Sequence, residues 1–444
     1  MNTPLYSFVQ NYISSDPHRL HMPGHKGAKF LGCEPCDLTE IDGADNLYAP
    51  QGIIRESEEN AAKLFGTGAT LYSAEGSSQS LRAMVYLAAL SKPGPLKIIA
   101  GRNAHKSFLT AAALLDADIT WLYPEDSGYS LCRCGISPRT LERVLSEHPD
   151  AAAIFVTSPD YLGSTLDVAA LAGAAHSRGV PLLVDNAHGA YLHFLREPRH
   201  PMDLGADLCC DSAHKTLPAL TGGGYLHVSK TAPAVFRERA RGAMAMFGST
   251  SPSYLILQSL DLCNPYLGSG YTEKLAATIA ALDGLKLRLS QKGWVFCGDE
   301  PLKLTLDARP MGFTGGELSA LLQARGIYPE YADPDFLVLL PGPETPPGAL
   351  ELLEETLGAI GPCPALPGPK LELIPPHRAM TLRQALFAPT ETVPLGAAAG
   401  RVLAGLSVSC PPAVAPAVPG EVLTEKILEI YGYYGIEGVS VVKE

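Results

Sequence analysis

The stretch "ADLCCDSAHKTLPALTGGGYLH", residues 206–227, starts as a short apolar run and then changes character. One lysine, Lys215, stands between His214 and Thr216, and three glycines follow within ten residues. A run this short and apolar fits a strand covered on both faces, as in a parallel sheet. Open α/β sheets bind ligands beyond the carboxyl ends of their strands, so Lys215 falls where a ligand would sit. The upstream runs "KIIAG" (97–101), "ITWLY" (119–123), "AAIFVTS" (152–158) and "PLLVDNA" (181–187) have the same character. Helical patterns alternate with them at 78–91, 107–116, 137–149 and 167–179, the third opening with Ser137 as N-cap and Pro138 at the first helical position. Strand and helix in alternation predict a doubly wound α/β domain with a mostly parallel sheet.

The pattern changes after residue 286. "PLKLTLDAR" (301–309) and "DFLVLLPG" (335–342) read as strands, with "TGGELSALLQARG" (314–326) as a helix between them. The Pro/Gly-rich stretch 341–376 reads as loops around one helix, "GALELLEETLGAI", and a stiff proline loop near residue 410 leads into a C-terminal amphipathic helix. The expected division is residues 1–285, an N-terminal arm and large domain, and 286–444, a small α/β domain. A chain of 444 residues exceeds what one compact core usually spans.

Composition excludes several function classes. The formal charge of −12 argues against a nucleic-acid or anionic-membrane surface, since both require a basic face. The N-terminus lacks a basic segment followed by an apolar one, and charge interrupts every apolar run short of a membrane span. A cytoplasmic protein is the expectation. Ten cysteines without an export signal suggest reduced thiols. Cys33, Cys36, Cys132 and Cys134 could be assembled into a zinc site, but the second pair has the wrong spacing, so no metal is expected.

Asp185 and Lys215 each fall at the end of a strand candidate. An ordinary ion pair is one reading. The other is a lysine partly desolvated in an apolar pocket, able to form a Schiff base with an aldehyde. Pyridoxal phosphate needs such a lysine, an acid for its ring nitrogen, a phosphate cradle and a stacking group. Gly76, Ser77 and Ser78 lie at the start of a predicted helix, where free N–H groups and the dipole favour an anion. His105 follows the strand ending near Gly101 and could stack on the ring. Ser212 and His214 could reach the phosphate.

The blocks "HMPGHKG" (21–27), "DGADNLYAPQGII" (42–54), "EGSSQSL" (75–81), "RNAHKSF" (102–108), "LLVDNAHGAYLHF" (182–194), "SAHKTLPALT" (212–221), "STSPSYLILQSLD" (249–261) and "CPPAVAPAVPGE" (410–421) span nearly the whole chain. Together they resemble the Orn/Lys/Arg decarboxylases, fold type I pyridoxal-phosphate enzymes acting on basic amino acids. The resemblance implies a fold type I large domain and α-decarboxylation of lysine, arginine or ornithine to cadaverine, agmatine or putrescine. It implies Lys215 as the residue that binds the cofactor aldehyde, Asp185 on the ring nitrogen, Ala187 under the ring and His105 on its other face. Ser77, Ser78, the Gln79 backbone, Ser212 and His214 would hold the phosphate, with His188 in the same cofactor set. Glu330 would face the distal basic group of the substrate; Asp333 is also acidic and close in sequence. A homodimer or larger assembly, with the site at the subunit interface, is implied as well. Asn186 replaces the usual Glu and Tyr191 the common His, and "CPPAVAPAVPGE" lacks the usual glycine after the paired prolines. The blocks begin near residue 21, so the short form without a receiver-like N-terminal domain is expected. Another fold type I reaction such as transamination, for which Arg378 and Arg383 could bind a carboxylate, and a non-catalytic sensor are the alternatives.

Overall fold

A computed structural model describes residues 1–125, 131–361, 363–369, 371–406 and 413–444. Among them the chain forms thirteen strands: β1 (Ala69–Ser73), β2 (Lys97–Gly101), β3 (Asp118–Leu122), β4 (Ala153–Thr157), β5 (Leu182–Asp185), β6 (Leu208–Asp211), β7 (Gly224–Val228), β8 (Val295–Cys297), β9 (Leu304–Asp307), β10 (Tyr331–Ala332), β11 (Phe336–Leu339), β12 (Thr390–Pro394) and β13 (Gly438–Val442). The five apolar runs expected as strands are β2 to β6. Contacts divide the chain into two compact units, the first comprising Met1–Leu96, Leu145–Ser158 and Val168–Lys274, the second Lys97–Val144, Pro159–Asp167 and Leu275–Glu444.

In the first unit the strand order is β1-β7-β6-β5-β4. β4, β5 and β6 pair in parallel, with Thr157 opposite Asp185 and Asp185 opposite Cys210. β7 is antiparallel to both β6 and β1. β1 therefore runs with β6, and β7 alone opposes the common direction. Every residue of β5 and β6 is buried, as expected for strands covered on both faces. The helix Gly76–Ser91 buries Leu81, Met84, Val85 and Leu87 as it packs on β6 and β7. Removing such side chains from water stabilises by up to about 2–3 kcal/mol each.

In the second unit β2 and β3 form a parallel pair. β10-β11-β9-β8 is antiparallel throughout. The helix Gly315–Gln323 begins with a reciprocal capping box between Thr314 and Glu317, which satisfies two of the amide donors left free at a helix start. Ala349–Ala359 is the helix inside the Pro/Gly-rich stretch. The C-terminal helix Glu425–Tyr433 turns Ile427 and Tyr431 into a small core with Leu403, Leu423, Val439 and Val441, beside the antiparallel pair β12–β13. Of the proline loop 410–421, residues 410–412 lie outside the described residues. The rest is held by Arg102, whose guanidinium grips Glu421 bidentately at 2.9 and 2.5 Å and donates to the Ala415 carbonyl at 2.8 Å. No helix among the described residues is long and apolar enough to cross a membrane.

Candidate active site

Parallel pairing brings the carboxyl ends of β5 and β6 to one edge of the sheet. Asp185 closes β5; Ser212, His214 and Lys215 follow β6, the latter two in the single turn Ala213–Thr216. Lys215 Nζ lies 3.0 Å from His188 Nε2, three residues beyond Asp185. Lysine ammonium only donates, so Nε2 of His188 is the acceptor. Asp185 is 3% exposed. Its Oδ1 accepts from the Ala187 amide at 3.1 Å and the Cys210 thiol at 3.6 Å, while Oδ2 accepts no hydrogen bond from the described residues. A carboxylate oxygen left open beside the lysine's turn suits a protonated ring nitrogen.

The three glycines explain how a helix start reaches the same edge. The Gly76 amide donates to the Gly222 carbonyl at 2.6 Å, with Gly222 at φ +96°. A Cβ on Gly224 would sit 2.8 Å from the Asp211 carbonyl oxygen and 2.9 Å from the Gly76 carbonyl carbon, both backbone. Only glycine lets the helix Gly76–Ser91 begin against β7. Its Gly76 amide is used by Gly222 and that of Glu75 by Ser73, so the Ser77 and Ser78 amides are the remaining first-turn donors. Ser212 Oγ donates to Ser77 Oγ at 2.8 Å, which gathers two hydroxyls at those amides. His214 donates from Nδ1 to the Gly223 carbonyl at 2.9 Å, and its Cε1 would lie 3.7 Å from a Cβ on Gly76. Hydroxyls, free amides and an imidazole around a helix N-terminus are the donor set a phosphate requires.

Gln79 is wholly buried. Its side chain accepts from Ser73 Oγ at 2.7 Å and donates to Tyr48 Oη and the Met244 carbonyl, each at 2.9 Å. It anchors the helix start from behind, a role not visible in the sequence because its partners lie 31 and 165 positions away.

His105 and Glu330 belong to the second unit. His105 is exposed and caps the helix Lys106–Leu114, with Nδ1 accepting from the Ser107 amide at 3.2 Å. That bond leaves Nε2 to carry the proton of the neutral ring. Glu330 is exposed just before β10. Asp333 is buried and fully committed: Oδ1 accepts the Asp335 and Phe336 amides, and Oδ2 the Tyr331 hydroxyl and the Cys132 thiol. Burial raises its pKa against those hydrogen bonds. It closes the β10–β11 turn.

One group among the described residues has metal-ligand spacing, His200, Cys209 and Asp211. His200 Nδ1 accepts from the Met202 amide, so Nε2 carries the proton and donates to Asp211 at 3.0 Å. His227 Nε2 reaches the same Oδ2 at 3.0 Å. The cluster is therefore complete as a hydrogen-bonded set.

The parallel sheet, the lysine after β6, the acid closing β5 and the anion-ready helix start together suit a fold type I enzyme that uses pyridoxal phosphate. The sequence model "Orn/Lys/Arg decarboxylase, major domain" matches residues 3–297. The chain belongs to the Orn/Lys/Arg decarboxylase family. It is 32% identical to the arginine decarboxylase of Bacillus subtilis (strain 168), over 96% of this chain and 92% of that one. Its fold is similar to that of the Francisella novicida lysine decarboxylase, with TM-score 0.82 at 17% identity over 99% of this chain and 81% of that one. The Escherichia coli constitutive lysine decarboxylase is similar at TM-score 0.79 and 19% identity, over 100% and 82%.

Proposed function

We propose that this enzyme decarboxylates arginine to agmatine. The observation that carries the choice of arginine is the near full-length match to an arginine decarboxylase, since the lysine decarboxylases at 17–19% identity speak to fold alone. When bound, pyridoxal phosphate draws into its ring the electron pair left behind as CO₂ departs.

The chain's own residues supply the rest. Ser77, Ser78, Ser212 and His214, with the backbone at Gln79, would hold the phosphate. Asp185 would offer Oδ2 to the ring nitrogen and favour its protonated form. His188 Nε2 takes a proton from Lys215, leaving the neutral amine that can attack an aldehyde carbon. Ala187 and His105 would be the residues that hold the two faces of the ring when pyridoxal phosphate is bound. Glu330 receives the distal guanidinium, for which a carboxylate offers a bidentate partner. Asp333 is not the candidate, because both its oxygens are already hydrogen-bonded. The active assembly is a homodimer or larger, with the site completed across the subunit interface. Arg378, available for an aminotransferase-like role, is paired with Asp118 at 2.5 Å.

Mass analysis of the products from an equimolar mixture of arginine, lysine and ornithine tests this reading. Agmatine as the main product is expected. Cadaverine or putrescine in excess would sink the choice of arginine, and keto acid without CO₂ would sink decarboxylation.

A further inference from the structure

Asp211, His200, His227 and Asn186 are all at 0% exposure, and none is needed to touch the cofactor in the account above. Asp211 Oδ1 accepts from Asn186 Nδ2 at 2.7 Å and from the Cys209 thiol at 3.7 Å. Oδ2 accepts from His200 and His227, each at 3.0 Å. Burial pushes the Asp211 pKa up, but the two imidazoles outweigh it and hold the carboxyl well below the carboxylate range. Burial and the neighbouring His200 and His193 lower the His227 pKa against the pull of Asp211, and the Thr70 hydroxyl lies 2.9 Å from its Nδ1. Asp211 is thus a buried anion that satisfies three nitrogen donors from three segments of chain.

Its place in the sheet gives this consequence. The β5–β6 ladder stops at Asp185 opposite Cys210. Past that rung two links join the departing turns: the Asn186 amide to the Cys210 carbonyl at 3.0 Å, and the Asn186 side chain to Asp211. One turn carries Asp185, Ala187 and His188, the other Ser212, His214 and Lys215. Gly189 fixes the amide of Asn186 in place, since a Cβ there would lie 2.0 Å from Asn186 Oδ1.

We infer that Asp211 is a positioning residue for the cofactor site, fixing through Asn186, His200 and His227 the two strand ends from which Asp185 and Lys215 project. The inference rests on the placement of pyridoxal phosphate proposed above. It makes the Asn186–Asp211 pair reversible. In Asp211→Asn the carbonyl oxygen can still face both imidazoles, but its NH₂ then meets the NH₂ of Asn186. Relief requires Asn186 to turn its amide over and bury its NH₂ against Gly189. In Asn186→Asp/Asp211→Asn the new amide donates to the new carboxylate, which restores the side-chain link between the two turns.

The test measures pyridoxal phosphate affinity, from the visible absorbance on titration and from its loss when the holoenzyme is diluted, together with the melting temperature of each protein. Asp211→Asn is expected to weaken cofactor binding about tenfold or more, and the double variant to return within about threefold of wild type. If Asn186→Asp alone does not fold, those two variants still decide. A folded Asp211→Asn protein that melts lower but binds the cofactor like wild type would reduce Asp211 to a packing role and overturn the inference. A double variant no tighter than the single, or stoichiometric metal at His200, Cys209 and Asp211 in the wild-type holoenzyme, would overturn it too. Wild-type protein that takes up no pyridoxal phosphate would sink the site reading itself, and is seen before any variant is made.

Discussion

Glu421→Gln should unfold the second unit far more easily than any surface substitution. The side chains of Arg102 and Glu421 are 0% and 5% exposed. Glu421 accepts both guanidinium N–H groups and also the Val418 amide at 2.8 Å. The Arg102 guanidinium lies 5.0 and 5.1 Å from the rings of Trp121 and Tyr123, so no water can replace the lost partner on those faces. Removing one member of such a pair strands the other charge and costs about 3–5 kcal/mol, roughly a hundred- to several-thousandfold in the folding equilibrium. The glutamine keeps one acceptor but turns an NH₂ toward the guanidinium. The assay is urea unfolding followed by tryptophan fluorescence. It reports on this unit alone, because both tryptophans, Trp121 and Trp294, belong to it. Replacing Arg102 and Glu421 together by methionine should cost less than either single loss, since no charge is left buried. A Glu421→Gln cost below about 1 kcal/mol, the range of a solvated surface pair, would refute the reasoning.

Lys215→Ala should abolish turnover and the visible absorbance of bound cofactor, measured by CO₂ release and spectrum. Asp185→Asn should lower kcat by about a hundredfold or more, each 1.4 kcal/mol of barrier being about tenfold, with phosphate-side contacts unchanged. Gly224→Ala should weaken cofactor binding by titration, because the Gly76 turn cannot move away from β7 without shifting Ser77 and Ser78. Burial raises the Asp160 pKa to about 7, against the Ser164 amide, Lys303, Arg133 and the Leu162 amide. The folded protein then holds a proton there below about pH 7 and the unfolded chain only below about 4. Between those values stability falls as pH rises, by at most about 4 kcal/mol, and Asp160→Asn should remove that slope in urea midpoints taken at pH 5 and 7.5.

The alternation of apolar runs was enough for β2 to β6, because strands buried on both faces carry an uninterrupted apolar signature. β1 and β7 gave no such signal. "ATLYS" and "GYLHV" mix polar and apolar residues, and Thr70 and His227 are buried only because they hydrogen-bond each other and Asp211. Lys215, Asp185 and the Gly-Ser-Ser helix start were legible as residue types at strand ends and a helix start. Glu330 and Asp333 looked interchangeable as acids, and the hydrogen bonds of the β10–β11 turn separate them.

The sequence by itself determined a doubly wound α/β fold, which rests on local pattern, and its motif blocks, through their resemblance to a known family, implied a pyridoxal-phosphate chemistry and the lysine and acid proposed to carry it. Only the tertiary structure decided that β7 enters between β1 and β6, that Gly224 admits the helix start at Gly76, and that Asp211 is a buried anion joining three segments. Each of these depends on which backbone and side-chain donors meet across tens to hundreds of residues, and a buried polar group declares its partner only once the chain has closed around it.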